Sequence, residues 1–431
     1  TDVTARPSPW THVRKITDTL HVLEADAARG AVRTAAARLA AAPGVVGVAP
    51  DAVVAPAIHV DDPRAADQWA LSAAGVGVAH DLLAVGPPAA PVTVAVIDGA
   101  IDLGHPELVA SLLPGLDVCS RVEDGGCAGI DDDPGADDEP VPPLDHGTHV
   151  AGIVAAPPDD GVGIAGVAPN ARILPVKVFH ADAGCATRIS DLVTALRWSV
   201  GLPVDGLPAN PHPADVVNLS LSGGTTSDLL QAEIDAVRAT GAVIVAAAGN
   251  DGGSVLPFPA SADGVVAVGA TTRYGVRASF SNARRSDAGG PGHLDLMAPG
   301  ADILSTVPGG HDFASGTSMA APHVAGAVAT LLGREPDLAP DAVLARLQAA
   351  TYVDPTIMTP DTYGAGVLRL DALHGAPAPR THATRTAELH VTQGGAAFRA
   401  PFDLDRGVAR VAVDGEGPVD LHLTWDGATY R

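Results

Sequence analysis

Apolar residues recur along the chain in two patterns. Val92–Ile97 (VTVAVI), Arg172–Val178, Val216–Leu221 and Val243–Ala247 are short runs that are apolar at nearly every position. Such runs are expected of strands in a parallel sheet whose two faces are both covered. Between and after them, Val150–Ala155, Ile189–Val200, Ser227–Thr240, Ala320–Leu332 and Pro340–Ala349 read as helices. The alternation predicts an α/β fold, a doubly wound and mostly parallel sheet. Ligands of such sheets bind at the carboxyl ends of the strands.

On either side of this region the pattern changes. Residues 11–56 read as a small α+β unit, with a strand at Leu20–Leu23 (TLHVLEA) and a helix at Ala27–Ala41 stopped by Pro43-Gly44. Val45–Val54 then returns as extended chain. Asp61–Gln68 (DDPRAADQ) is a polar link, and Trp69–Leu83 opens the next domain. After Ala376, PAPRTHATR reads as a linker, and Glu388–Thr392, Val408–Val413 and Val419–Trp425 alternate like strands. They are too few for an independent sandwich. They are expected either to pack on the main domain or to belong to a larger β domain cut at Arg431. The predicted division is 1–60, 61–376 and 377–431.

Composition narrows the function. A net charge of −24 argues against a nucleic-acid partner and against an anionic membrane surface. No apolar run reaches the ~18 residues that would span a bilayer. The chain starts at Thr1 without Met, as expected of a processed N-terminus. Residues 119–143 interrupt the α/β alternation with Asp131-Asp132-Asp133 and Asp137-Asp138-Glu139. A solvated acidic insertion is the plain reading, and a calcium-holding loop the sharper one. Cys119 and Cys127 sit close together there, and a disulfide between them would be worth roughly 2–3 kcal/mol. Free thiols or a pairing with Cys185 are the alternatives.

Four residues carry candidate chemistry, each at a strand end or helix start rich in small neighbours. Asp98 ends VAVID, where a carboxylate can orient an imidazole and stabilise its protonated form. His146 opens HGTHVAG and is the natural general base. Ser318, in GTSMA, enters an apolar helix, where N–H groups favour developing negative charge. Asn250 follows AVIVAAAG, and its amide can donate to an oxyanion, a contact worth about 3–4 kcal/mol in the transition state. His146 and His149 could instead face a metal together. Zinc hydrolases, however, place such a pair at i, i+4 with a Glu between, and none stands here.

VAVIDGAIDLGHPEL, HGTHVAGI, VNLSLSGG, VAAAGN and SGTSMAAPHVAG resemble the signature blocks of the subtilisin-like serine peptidases, in collinear order from about Asp62 to Leu373. The chain order Asp, His, Ser agrees with that arrangement. The related sedolisins replace the His by an acid, so His146 argues against them. The resemblance implies Asp98 as orienting acid, His146 as base, Ser318 as nucleophile and Asn250 as oxyanion donor. It implies Ser220, Leu221, Ser222 and Gly223 as an edge that pairs with extended substrate. Ala247, Ala248 and Gly249 would line the pocket for the residue before the cut bond, small and apolar, which favours broad cleavage after apolar residues. The family also implies structural calcium, with Glu107, Asp160 and Asp62 as ligands, and no organic cofactor.

The expected function is therefore a secreted or cell-envelope serine endopeptidase acting on protein substrates. Residues 1–60 would be an inhibitory prosegment, an intramolecular partner of the enzyme. The alternative is a catalytically silent or permanently locked binding module of the same fold.

Overall fold

The computed structural model describes residues 10–15, 21–25, 62–85, 89–120, 129–135, 146–180, 186–283, 293–355, 358–375, 386–393, 396–403, 419–425 and 428–430. They fall in two units, Thr1–Ala57 and Ile58–Arg431. In the first, β1 (Trp10–Lys15) pairs antiparallel with β2 (His21–Ala25), which overlaps the strand expected at Leu20–Leu23. The helix and extended segment expected at 27–41 and 45–54 lie outside the described residues.

The second unit opens with α1 (Trp69–Ala74) and α2 (Val76–Val85) and continues through β3 (Val92–Asp98), β4 (Leu116–Asp117), α3 (His146–Ala155) and β5 (Ala171–Lys177). Then follow α4 (Ile189–Ser199), β6 (Val216–Leu219), α5 (Asp228–Arg238), β7 (Val243–Ala247), β8 (Val266–Thr271) and β9 (Leu296–Pro299). A hairpin of β10 (Ile303–Val307) and β11 (Gly310–Ala314) leads into α6 (Thr317–Leu332) and α7 (Pro340–Ala349). Two edge strands, β12 (Thr351–Tyr352) and β13 (Val367–Leu368), complete the main sheet. β14 (Thr386–Gln393), β15 (Ala396–Asp403), β16 (Val419–Trp425) and β17 (Ala428–Tyr430) form a four-stranded antiparallel sheet of their own. The strand expected at Val408–Val413 lies outside the described residues.

The main sheet has nine strands in the order β12-β13-β9-β8-β7-β6-β3-β5-β4, parallel throughout except at the β12–β13 edge. Alternation along each strand divides the core in two. Val94 and Val96, with Val216, Val243, Val245 and Val268, pack against α3 and α6. Ala95 and Ile97, with Val217, Leu219, Ile244 and Ala246, pack against Leu192 and Leu196 of α4 and Ile234 and Val237 of α5. Both faces are covered, which is why these strands are apolar at nearly every position.

The strand order reverses at β3. Its neighbours are β5, leading out to β4, and β6, leading out to β9. The crevice at the carboxyl end of such a strand is where doubly wound sheets bind ligands, and Asp98 is the last residue of β3. By alternation its side chain shares the face of Val94 and Val96, the side on which α3 and α6 lie. Cys119 is disulfide-bonded. Cys127 and Cys185, the partners weighed for it, are outside the described residues.

Candidate active site

Three elements converge at that crevice. Asp98 comes from the end of β3 and is fully buried. His146 is the first residue of α3, with 29% of its side chain exposed. Gly147 behind it lets the helix sit close: a Cβ there would lie 2.5 Å from the Gly99 carbonyl oxygen. Ser318 is the second residue of α6 and partly exposed.

Asp98 Oδ1 stands 2.7 Å from His146 Nδ1 and also accepts the Gly99 N–H at 2.6 Å. Asp98 Oδ2 is buried with no partner. This poorly solvated carboxylate acts strongly on its neighbour. Burial pushes the His146 pKa down, but the Asp98 charge and hydrogen bond push it up further, so it lies above the ordinary histidine value. The contact also leaves His146 Nε2 as the nitrogen that can face a substrate.

Asn250 lies just beyond β7, at an exposed position. Its Oδ1 accepts from the Thr317 N–H at 2.8 Å and from Thr317 Oγ1 at 2.9 Å. That fixes the amide, with Nδ2 left as the outward donor. Thr317 Oγ1 in turn accepts the Gly249 N–H at 3.1 Å. Gly249 has φ +97°, and a Cβ there would come within 2.5 Å of Asn282 Nδ2, so the turn requires glycine. Thr317 thus ties β7's exit loop to the start of α6. Its neighbours drew attention in the sequence, but the hydroxyl's role depends on a partner 67 residues away.

Ser318 Oγ does not point to His146 in this arrangement. It donates to the Ser220 carbonyl at 3.2 Å, while Ser220 Oγ donates to the Ser318 carbonyl at 2.7 Å. Ser220 and Leu221 are buried, and Ser222 and Gly223 are exposed beyond them. Ala247 and Ala248 are buried at the end of β7 next to Gly249. These segments adjoin the site through the Ser220–Ser318 and Gly249–Thr317 bonds.

His149 turns away from His146. Its Nε2 lies 3.1 and 3.2 Å from the carbonyl oxygens of Ile303 and Asp312. Burial and the nearby His146 push its pKa down to about 4.

Glu107, Asp160 and Asp62 surround the loop at 159–164 but serve nitrogen donors. Glu107, 1% exposed, takes His311 Nε2 on Oε1 and the Ile164 N–H on Oε2 at 3.1 Å. Asp62 accepts the N–H groups of Asp159 (3.0 Å), Asp160 (3.2 Å) and Gly161 (3.3 Å). Burial nonetheless holds its carboxyl above the usual value. Asp160 Oδ1 accepts the Val162 N–H at 2.8 Å. Among the described residues no three His, Cys, Asp or Glu side chains are grouped to share an ion. Both oxygens of Asp62 and of Glu107 are thus engaged by nitrogen donors, and one oxygen of Asp160 is. Of the acidic insertion, Asp131 pairs with Asp117 through backbone bonds of 2.8 and 3.1 Å, and residues 136–145 lie outside the described set.

The sequence profile of the subtilase family matches residues 90–370. The chain is 35% identical over 386 residues to the extracellular protease of Xanthomonas campestris pv. campestris, covering 84% of this chain and 64% of that protein. It is 38% identical over 268 residues to the extracellular basic protease of Dichelobacter nodosus, covering 56% of this chain and 43% of that protein. The chain therefore spans less than two thirds of each of these relatives. Among solved structures, a protease from Pseudoalteromonas arctica aligns with a TM-score of 0.64 at 34% identity, over 73% of this chain and 98% of that one.

Proposed function

The chain belongs to the subtilase family, and on that premise we propose that it is a serine endopeptidase acting through Asp98, His146 and Ser318. The observation that carries the reading is the 2.7 Å contact from buried Asp98 to His146 at the switch point of the sheet. In the proposed reaction Ser318 Oγ leaves the Ser220 carbonyl and attacks the scissile carbonyl carbon. His146 Nε2 takes its proton, and Asp98 stabilises the imidazolium that results. The oxyanion forms against Asn250 Nδ2 and the Ser318 N–H, donors held in place before the reaction begins. His146 then gives the proton to the leaving amine, and water resolves the acyl-enzyme by the same route in reverse.

Substrate would lie along Ser220, Leu221, Ser222 and Gly223, with the side chain before the cut bond against Ala247, Ala248 and Gly249. Their small size supports cleavage after apolar residues. Residues 1–60 would act as a prosegment, and the names of the two extracellular relatives support export. No helix among the described residues is long and apolar enough to cross a membrane. No step of the reaction is routed through calcium.

One observation favours a second reading, a latent form: the Ser318 hydroxyl rests on Ser220 and not on His146. Intact mass over time separates the two. In the presence of an unfolded protein, the active enzyme loses its N-terminal module and degrades the substrate, while Ser318→Ala does neither. If both chains stay whole and clipping the link at residues 61–68 releases no hydrolysis, the endopeptidase reading is wrong.

A further inference from the structure

Pro322 stands one turn into α6 and takes away a donor. In an α-helix the carbonyl of residue 318 accepts from the N–H of residue 322. Proline has no N–H, so the backbone of the nucleophile's own residue lacks its helical partner. The carbonyl is satisfied from outside the helix, by Ser220 Oγ at 2.7 Å. That hydroxyl is aimed in turn, because Asn218 Nδ2 donates to it at 3.0 Å and occupies one of its two lone pairs, leaving its O–H to donate to the Ser318 carbonyl. Asn218 and Ser220 are 0% and 4% exposed. With the amide turned this way Asn218 Oδ1 is buried without a partner. An orphaned acceptor of that kind is costly, and here it accompanies an Nδ2 committed to the Ser220 hydroxyl.

We infer that Asn218 and Ser220 are positioning residues for the nucleophile. The Ser220 hydroxyl, aimed by Asn218, supplies the hydrogen bond that Pro322 denies to the Ser318 carbonyl. It thereby fixes the first turn of α6, which carries both the attacking Oγ and the oxyanion-binding N–H of Ser318. The inference rests on the proposed role of Ser318. Its force comes from geometry: displacement of a reacting group by about 1 Å can cost on the order of a hundredfold in rate.

The test is a double-mutant cycle on the full chain, because Pro322→Ala restores the missing helical donor. Ser220→Ala, Pro322→Ala and the pair are compared by kcat and KM on a peptide anilide. Rates are normalised to the sites that react with a fluorophosphonate, so that misfolded molecules do not count. Ser220→Ala lowers kcat about tenfold, the scale of one neutral hydrogen bond, with KM nearly unchanged. In the Pro322→Ala background the same change costs no more than about two- to threefold, since the residue 322 N–H takes over. Ser220→Thr, which keeps the hydroxyl, retains most of the rate. Asn218→Ala lowers kcat in the unmodified chain and adds nothing once Ser220 is Ala. Equal effects of Ser220→Ala with and without Pro322, or a loss confined to the number of reactive sites, overturns the inference. If Ser318→Ala still hydrolyses the substrate, the reading of the nucleophile fails instead. An inactive Ser318→Ala beside an additive cycle rejects the positioning role alone.

Discussion

Thr317→Val is the perturbation that the site geometry describes most fully. Valine keeps the shape of the side chain and removes one hydroxyl, which accepts from Gly249 N–H at 3.1 Å and donates to Asn250 Oδ1 at 2.9 Å. The first loss strands a buried N–H, which costs about 1–3 kcal/mol of stability. The second leaves Asn250 held only by the Thr317 N–H, at 2.8 Å. An oxyanion donor of this kind is worth about 3–4 kcal/mol in the transition state. Losing one of its two anchors should forfeit about a third to a half of that, on the order of 1–2 kcal/mol or five- to thirtyfold in kcat. KM should hardly move, because the contact is made in the transition state and not with bound substrate. The assay is steady-state kinetics on one peptide substrate for Thr317→Val, Thr317→Ser, Asn250→Ala and the double variant Thr317→Val/Asn250→Ala, with a thermal melt of each. Thr317→Ser should stay near the unmodified rate. Adding Thr317→Val to Asn250→Ala should lower kcat no further, since Thr317 acts through Asn250. A Thr317→Val protein that melts earlier yet keeps its kcat would refute the reasoning.

Two further outcomes follow from the histidines. The general base must be neutral, and His146 titrates above its ordinary value because of Asp98. Activity should therefore fall on the acid side with a midpoint above ~6.5. In Asp98→Asn the residual activity should fall by about ten-thousandfold, and burial, now unopposed, should move that midpoint downward. An unmoved midpoint in Asp98→Asn counts against the assignment. His149 and His323 are buried and pushed down to about 4, chiefly by burial. The unfolded chain binds their protons first, so stability contributed by keeping them neutral is present above pH ~6.5 and is lost as pH falls toward 4. The shift from 6.5 to about 4 corresponds to about 3 kcal/mol per residue. Urea melts from pH 7 to 4.5 should show the loss, and His323→Gln should flatten it. A flat profile in the unmodified protein rejects this account of the core.

Sequence patterns revealed the parts of the fold that repeat. β3 and β7 match the runs read as buried strands because both faces of the sheet are covered. Short or polar strands carried no such signal. β4, β12 and β13 are two residues each, and the β10–β11 hairpin exposes part of β11. β15 contains Pro401, which reads against a strand, and it is tolerated because β15 lies at the edge of its sheet. Helix starts were misplaced for a related reason. α3 begins at His146, earlier than the expected Val150, because Gly147 resembles a breaker locally although its lack of a side chain is what lets the helix pack on Gly99; α6 begins at Thr317, three residues before the expected Ala320. At the site, Asp98, His146, Asn250 and Ser318 were legible one by one from their strand-end and helix-start settings. The Thr317 clamp, the Ser220 hydroxyl and the Glu107–His311 pair were not, because each joins residues far apart in the chain.

The central claim is that Ser318 is a nucleophile driven by His146 and Asp98, and covalent capture tests it most directly. The chain, with its link at residues 61–68 clipped, is treated with a fluorophosphonate, digested and mapped by mass spectrometry. The account predicts one phosphonylated residue, Ser318, with labelling abolished in Ser318→Ala and slowed in Asp98→Asn. A label on any other residue, or none on a chain that still hydrolyses protein, contradicts it.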